Sequence, residues 1–361
     1  MNSNPDIRRT YVKDFKLDPR LLQGSEWLIV IKSQDQSIRR DRLIGGLKNG
    51  KFGRTETRPT STGLLAKVTL KEGETRLHWK KEFPEPRHII YMATNGYALT
   101  DVNGVNLITP DGTVRRRIHD PLYAFLHSID QKGNNKNKLL VCSSGYDAIV
   151  ETDIDSGERS FLWPAWEHGF NPDEEGNWLA LTNAYHTRML QEEKRTIFVD
   201  PAAYGEQGIN TKFRSAHPNV AIYNLYKNYS TFIVSIGHGG LLYEVNLNTS
   251  ESHLVLDGLS QMPHGLMPYQ GGWIVTNTTK GEIWFLSHDF VPIEIVSFEG
   301  MPGKMPELGS IEWIQNTKLT PEGMLLCLDA NRGLIALDIA ERKVNVFQPD
   351  PEWCFQDAIM L

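Results

Sequence analysis

Four short apolar runs closed by Gly, Asn or Asp turns recur along this chain, and that repeat constrains the fold more than any other feature. Residues 217–257 divide into NVAIYNLY, TFIVSIGHGG, LLYEVNL and ESHLVLD. Each run has strand length and is rich in β-branched and aromatic residues. The same grammar returns as HGLMPYQ, GWIVTNTTKG, EIWFLSHD and PIEIVSFE, then as IEWIQNTKL, MLLCLDANRG, LIALDIA and KVNVFQ. Upstream it reads HSIDQ, KLLVCSSG, AIVETDI and ERSFLW, preceded by HIIYMA, GYALTDVNG, VNLITPDG and TVRRRI. Long amphipathic helical runs are scarce.

A four-stranded unit repeating every 40 to 50 residues or so is what a β-propeller blade requires, because a single blade buries its faces only against its neighbours. Five units are complete. The sixth must come from both ends of the chain: EWLIVIKS, TGLLAKVTL and TRLHWKKEF supply three strands, and FQDAIML at the C-terminus supplies the innermost one. The expectation is therefore an all-β, six-bladed β-propeller over residues 1–361, closed by the C-terminal strand, which removes an open sheet edge.

The stretches PHGLMPYQGGWIVTNTTKGEIWFL and KLTPEGMLLCLDANRGLIALD resemble six-bladed propellers of the NHL, SMP-30/gluconolactonase and strictosidine synthase-like group. That resemblance spans most of the chain. It implies the fold but no single activity, since the group holds hydrolases, lyases and purely structural modules. Calcium-dependent members present Glu, Asn and Asp to a central metal, whereas histidines stand at several of the corresponding places here.

The blade alignment places the starts of the inner strands, EPRHII, AFLHSI, SAHPNV, QMPHGL, GSIEWI and CFQDAI, beside the propeller axis. On that alignment His88, His127, His217, His264, Glu312 and Asp357 meet at one mouth of the channel. Only 11 of the 361 residues are His, so their concentration there is a signal. Imidazole nitrogens suit transition metals, whereas calcium takes oxygen ligands. The expected centre is a divalent transition metal, Fe(II) before Zn or Mn, held by His88, His127, His217 and His264, with Glu312 or Asp357 as orienter or general base. The arrangement is similar in architecture to the four-His iron site of carotenoid cleavage oxygenases.

Two insertions lie on the same face. Residues 164–216 are too long for a structureless loop and are expected to form a lid, helical near TRMLQEEK, with Trp166, His168, Trp178, Tyr185, His186 and Arg214 turned inward. Residues 32–60 form a basic loop carrying Arg39, Arg40, Arg42, Lys48, Lys51, Arg54 and Arg58, able to attract an anion. His238, in GHGG, is a candidate for proton transfer. Lys280 and Arg332, on matching loops, are candidate carboxylate clamps.

Composition narrows the alternatives. A net charge of -6 with dispersed Lys and Arg gives no footprint for nucleic acid. The first residues hold no apolar core of a signal peptide and no 18-residue apolar run occurs, so neither export nor a membrane helix is expected and the cytoplasm is the expected compartment. Cys142, Cys327 and Cys354 are widely spaced in apolar settings, as free thiols are. There is no GxSxG elbow, P-loop or strand-borne GxGxxG. The reading that follows is a metal-dependent enzyme acting on a small organic substrate, anionic if the basic loop serves the site and is not simply solvated, first a non-haem Fe(II) oxidoreductase or oxygenase, second a lyase, isomerase or hydrolase using the ion as Lewis acid. The contrasting class is a non-enzymatic propeller that binds a protein partner.

Overall fold

The computed structural model describes residues 7–50, 52, 60–92 and 96–361. The chain is an all-β, six-bladed β-propeller. It divides into two compact units, one of Met1–Gly50, Ser61–Pro86 and Gly258–Leu361, the other of Lys51–Thr60 and Arg87–Asp257. Three blades belong to each. No helix among the described residues is long and apolar enough to cross a membrane.

In the first unit, the strand Cys354–Met360 lies antiparallel to Glu26–Ser33 as the innermost strand of a blade completed by Thr62–Lys71 and Glu74–Pro84. Met360 faces Trp27 and Ala358 faces Ile29, so the two ends of the chain are fastened by one ladder. Trp27, Ile29 and Ile31 are buried with Leu326, Leu328 and Ala358 in one apolar cluster, which ties this blade to its neighbour. The other two blades begin at His264–Tyr269 and Ile314–Leu319.

Each of those two blades carries a fifth strand that the repeat pattern did not reveal. Arg8–Tyr11 runs parallel to Pro292–Ser297, and Lys16–Leu17 runs parallel to Lys343–Phe347. The segment preceding the first blade thus covers two outer edges, where unpaired backbone groups would otherwise face solvent. An ion pair from Arg9 to Glu282 at 2.7 Å pins the first of these strands.

The basic insertion is not a loop. Gln36–Asn49 is an α-helix, although it contains Gly45 and Gly46. Asp35 opens it by accepting the Ser37 N–H at 2.9 Å, Gln36 Nε2 donates to the Trp353 carbonyl at 2.6 Å, and the Cys354 thiol donates to the Asp35 carbonyl at 3.3 Å. Tertiary anchoring here overrides the poor helix propensity of glycine. Lys51, Arg54 and Arg58 lie outside the described residues.

In the second unit the blades begin at Ile89–Met92, Leu126–Gln131 and Pro218–Tyr223. The insertion 164–216 holds a two-stranded parallel sheet, Trp178–Ala180 with Thr196–Phe198, and a helix, Asn183–Gln191. It is built into the unit's core, because Trp166, Leu179, Val199 and Ile209 share one buried cluster with Leu126, Val141 and Val150.

Candidate functional site

Five of the six inner strands carry a β-bulge at their start, and these bulges decide where the candidate residues fall. The last regular pair before each bulge is Leu126 with Ser143, Pro218 with Ile236, His264 with Thr276, Ile314 with Asp329, and Phe355 with Ile31. Counted from that pair, His217 stands one residue before, His264 at it, His127 one after, Glu312 two before and Asp357 two after. These five of the corners aligned by sequence are therefore not equivalent positions. An extra residue flips the face that later side chains present, and simple counting does not register it.

The second unit brings three imidazoles together. The ring of His217 lies 5.5 Å from that of His127 and 5.2 Å from that of His238, centroid to centroid. His217 is buried and holds a left-handed backbone, φ 50°, which is uncommon for a residue with a side chain. The holder is Asp147, which sits just after the short turn Ser144–Tyr146. Its Oδ1 accepts the His217 N–H at 3.0 Å, and its Oδ2 accepts the Ala216 N–H at 3.0 Å and the Trp166 indole N–H at 3.1 Å. Burial pushes the Asp147 carboxyl up, opposed by the Arg214 guanidinium and by these three donors.

Arg87, buried, donates from Nη1 to Nε2 of His127. A guanidinium has no lone pair to offer, so His127 Nε2 is the acceptor and its proton resides on Nδ1. Phe125, also left-handed at φ 48°, receives the Arg87 and Arg214 guanidinium groups at 5.4 Å and 5.6 Å from its ring centre. Arg214 is further spent on the carbonyls of Ser144, 2.8 Å, and Ile209, 3.1 Å. It is a strut of the site. His88 belongs to the same unit, where its Nδ1 accepts the Ile129 N–H at 3.4 Å.

The first unit holds the remaining candidates. His264 Nδ1 shares a hydrogen bond with Thr278 Oγ1 at 2.9 Å. Gly265 beside it, φ 59°, has no room for a Cβ, which would collide with Thr276 Oγ1 and Asn316 Oδ1. Glu312 is bound by Lys304 and Arg332, each at 2.7 Å, and Asp357 by Lys318 and the Asn316 amide, each at 2.7 Å. Arg332 is buried between Glu312 and Asp329 and also donates to the carbonyls of Met301 and Pro302. It serves as a structural tie, and its donors are turned to the protein. Lys280 ends the short turn Thr278–Lys280 and is exposed.

In the insertion, Trp166 is wholly buried and committed to Asp147. His168 stacks on Trp163 at 5.4 Å, and burial lowers its pKa. His186 packs its ring 5.2 Å from that of Phe198, within the insertion's own small cluster.

The donor chemistry does not fit a multi-His metal centre. Among the described residues no group of three or more His, Cys, Asp or Glu is arranged to hold an ion. The physical reasons are specific: Nε2 of His127 is taken by a cation, and both candidate carboxylates are taken by ammonium or guanidinium groups. Arg87 and Asp147, which organise the imidazoles, escaped the sequence reading. Arg87 directly precedes a candidate histidine, and Asp147 follows a turn in the middle of a blade, so only their adjacency to the repeat hinted at a role.

The fold recurs widely among solved structures. A protein of unknown function from Bacteroides caccae superposes with a TM-score of 0.55 at 12% identity, covering 94% of this chain and 99% of its own. A chain of a nidogen/laminin complex gives 0.54 at 10%, covering 93% and 98%. Virginiamycin B lyase from Staphylococcus aureus gives 0.44 at 11%, covering 76% and 75%. At such identities the likeness defines the class, a six-bladed β-propeller, and nothing finer. No protein family and no curated protein matches the chain.

Proposed function

We propose that this chain is an enzyme that moves a proton on a small anionic organic molecule, as a lyase or isomerase does, at the imidazole row of His127, His217 and His238. The observation that carries this reading is the row itself, three rings at 5.5 and 5.2 Å spacing with Arg87 fixed on one end. His127, whose Nε2 accepts from Arg87, carries its proton on Nδ1, the tautomer that a donor to a developing oxyanion or leaving group requires. His217, held rigidly by Asp147, is the candidate base, and His238, half-buried on its loop, is placed to pass the proton on. Positioned acid–base groups of this kind contribute about 10²–10⁴-fold each. Arg87 supplies the positive charge that favours an anion.

The test is proton exchange. The protein is incubated in D₂O with a panel of small hydroxy- and keto-carboxylic acids, and loss of the α- and β-proton signals is followed by NMR. Enzyme-dependent exchange or elimination with at least one acid, reduced at least tenfold in His217→Asn, is the expected result. Exchange that survives unchanged in that variant overturns the assignment of His217. Metal analysis of anaerobically purified protein runs beside it, and stoichiometric iron, zinc or manganese would restore the metal-dependent reading in place of this one.

A further inference from the structure

Three left-handed residues stand at one structural position in their blades. Phe125, His217 and Trp313, at φ 48°, 50° and 55°, each directly precede the last regular pair before a bulge, Leu126 with Ser143, Pro218 with Ile236 and Ile314 with Asp329. The backbone ahead of the first two is bonded alike: the Ala124 carbonyl accepts the Gly145 N–H at 2.8 Å, and the Ala216 carbonyl accepts the His238 N–H at 3.4 Å. All three carry a ring. A bulky side chain in the left-handed region is a conformational outlier, and strain of this kind collects at functional sites.

Phe125 is therefore the counterpart of His217, one blade earlier and on the strand segment that leads into His127. Its backbone is imposed from outside: the Ala124 N–H donates to Ser143 Oγ at 3.1 Å, and Gly145 approaches so closely that a Cβ there would collide with Ala124. Two guanidinium groups lie over the ring, Arg87 at 5.4 Å and Arg214 at 5.6 Å from its centre. Arg214 is tied by Nε and Nη1 to the carbonyls of Ile209 and Ser144, so one of the two cations is fixed to the backbone. Arg87 is the one that reaches on to His127 Nε2. The negative face of an aromatic ring attracts a cation, and more strongly where both are withdrawn from water. Both arginines are buried and Phe125 is half-buried.

We propose that Phe125 is a positioning residue of the imidazole row: its ring face holds Arg87 on His127 Nε2, and so sets the tautomer of His127 and the hold on an anion. The effect on an anionic substrate rests on the reading of the row as a catalytic site. The effect on the His127 tautomer does not.

The experiment replaces Phe125 in the full chain, by site-specific incorporation, with mono-, di- and trifluorinated phenylalanine. Fluorine withdraws charge from the ring face while the shape is nearly kept, so a ring that serves packing alone would not respond in steps. The His127 Nε2 shift in long-range ¹H–¹⁵N spectra should move progressively with fluorine count, and Phe125→Leu should show a mixture of both tautomers, whereas Phe125→Tyr keeps the parent spectrum. For an acid that the protein turns over, KM should rise about 3–30-fold in Phe125→Leu with kcat little changed, the size of one partly desolvated cation–π contact. Nitrogen shifts that ignore fluorine count, or that change equally in Phe125→Tyr and Phe125→Leu, overturn the proposal. The fluorinated chains preserve the comparison if Phe125→Leu does not fold. A spectrum that responds in steps while no acid is turned over supports the hold on Arg87 and sinks only the catalytic reading of the row.

Discussion

Asp147 holds His217 by its backbone: the carboxylate accepts the His217 N–H at 3.0 Å and the adjacent Ala216 N–H at 3.0 Å, and in doing so fixes a left-handed residue at the head of an inner strand. Such a conformation costs on the order of 1–3 kcal/mol and persists only where its surroundings impose it. Asp147→Asn keeps the shape but turns an N–H₂ toward one of the two backbone donors. The expected loss is about 1–3 kcal/mol in urea unfolding, together with loss of proton exchange. His217→Asn, by contrast, should unfold within about 1 kcal/mol of the parent, because Asn tolerates the left-handed region. A large loss in that variant would mean that the ring serves packing alone.

Asp130 gives stability a pH dependence. Burial raises its carboxyl to about 6, against the N–H groups of Tyr223 and Gln131 that favour the ionised form. The folded state therefore holds this proton more tightly than the unfolded chain, whose Asp titrates near 4. Between pH 4 and pH 6 the unfolded state binds fewer protons, so this group's contribution falls as pH rises. Asp130→Asn should flatten the stability profile in that window by on the order of 2 kcal/mol relative to the parent. Parallel profiles for the two proteins would dismiss the assignment.

The closing strand is a second point of leverage. Cys354–Met360 supplies the whole inner ladder of its blade, and Phe355 and Ala358 are buried in the cluster that joins this blade to the next. Removing residues 354–361 exposes the inner edge of Glu26–Ser33 and opens that cluster to water. The shortened chain should show no cooperative thermal transition and should aggregate, whereas removing Leu361 alone, which is exposed, should change the midpoint little.

Arg332 tests how far the first unit depends on its ion network. Its guanidinium, 2% exposed, bridges Glu312 and Asp329 at 2.7 Å each. Arg332→Met leaves Asp329 buried without its cation, while Glu312 keeps Lys304, and breaking a buried pair in this way costs about 3–5 kcal/mol. Adding Asp329→Asn should recover part of that loss, since the stranded charge is then gone. A double-mutant cycle in urea measures the coupling, and strict additivity would contradict the bridge.

The blades were legible because their signal is a repeat, and a repeat survives local error. The closing role of FQDAIML was legible for the same reason, as the strand missing from the first blade. The site was less so. His127, His217 and His264 look alike when counted from Pro or Leu, yet the bulges place them at three different heights on their strands. A bulge leaves no mark in hydrophobic periodicity beyond one skipped residue. The edge strands Arg8–Tyr11 and Lys16–Leu17 were hidden because their residues are largely polar and their partners are far away in sequence. Trp166 was expected to turn inward and Arg332 to clamp a ligand carboxylate, yet Trp166 donates to Asp147 and Arg332 to Glu312, because a loop position says nothing about which neighbour a long side chain satisfies first.

The Arg87–His127 contact decides the chemistry that His127 can do. With Nε2 accepting from a guanidinium, the ring is neutral and its proton sits on Nδ1, so in the proposed reaction it is suited to donate and not to abstract. Long-range ¹H–¹⁵N correlation spectra should show Nε2 with the shift of an acceptor nitrogen and Nδ1 with that of a protonated one. Arg87→Gln keeps a donor but removes the charge. The expected outcome is a KM for the anionic substrate raised about 10–100-fold, as loss of one charged contact predicts, with a smaller fall in kcat because His217 is held independently through Asp147. The opposite tautomer in the parent protein, or a kcat that collapses while KM is unchanged, would assign Arg87 to holding the fold and move the donor role away from His127.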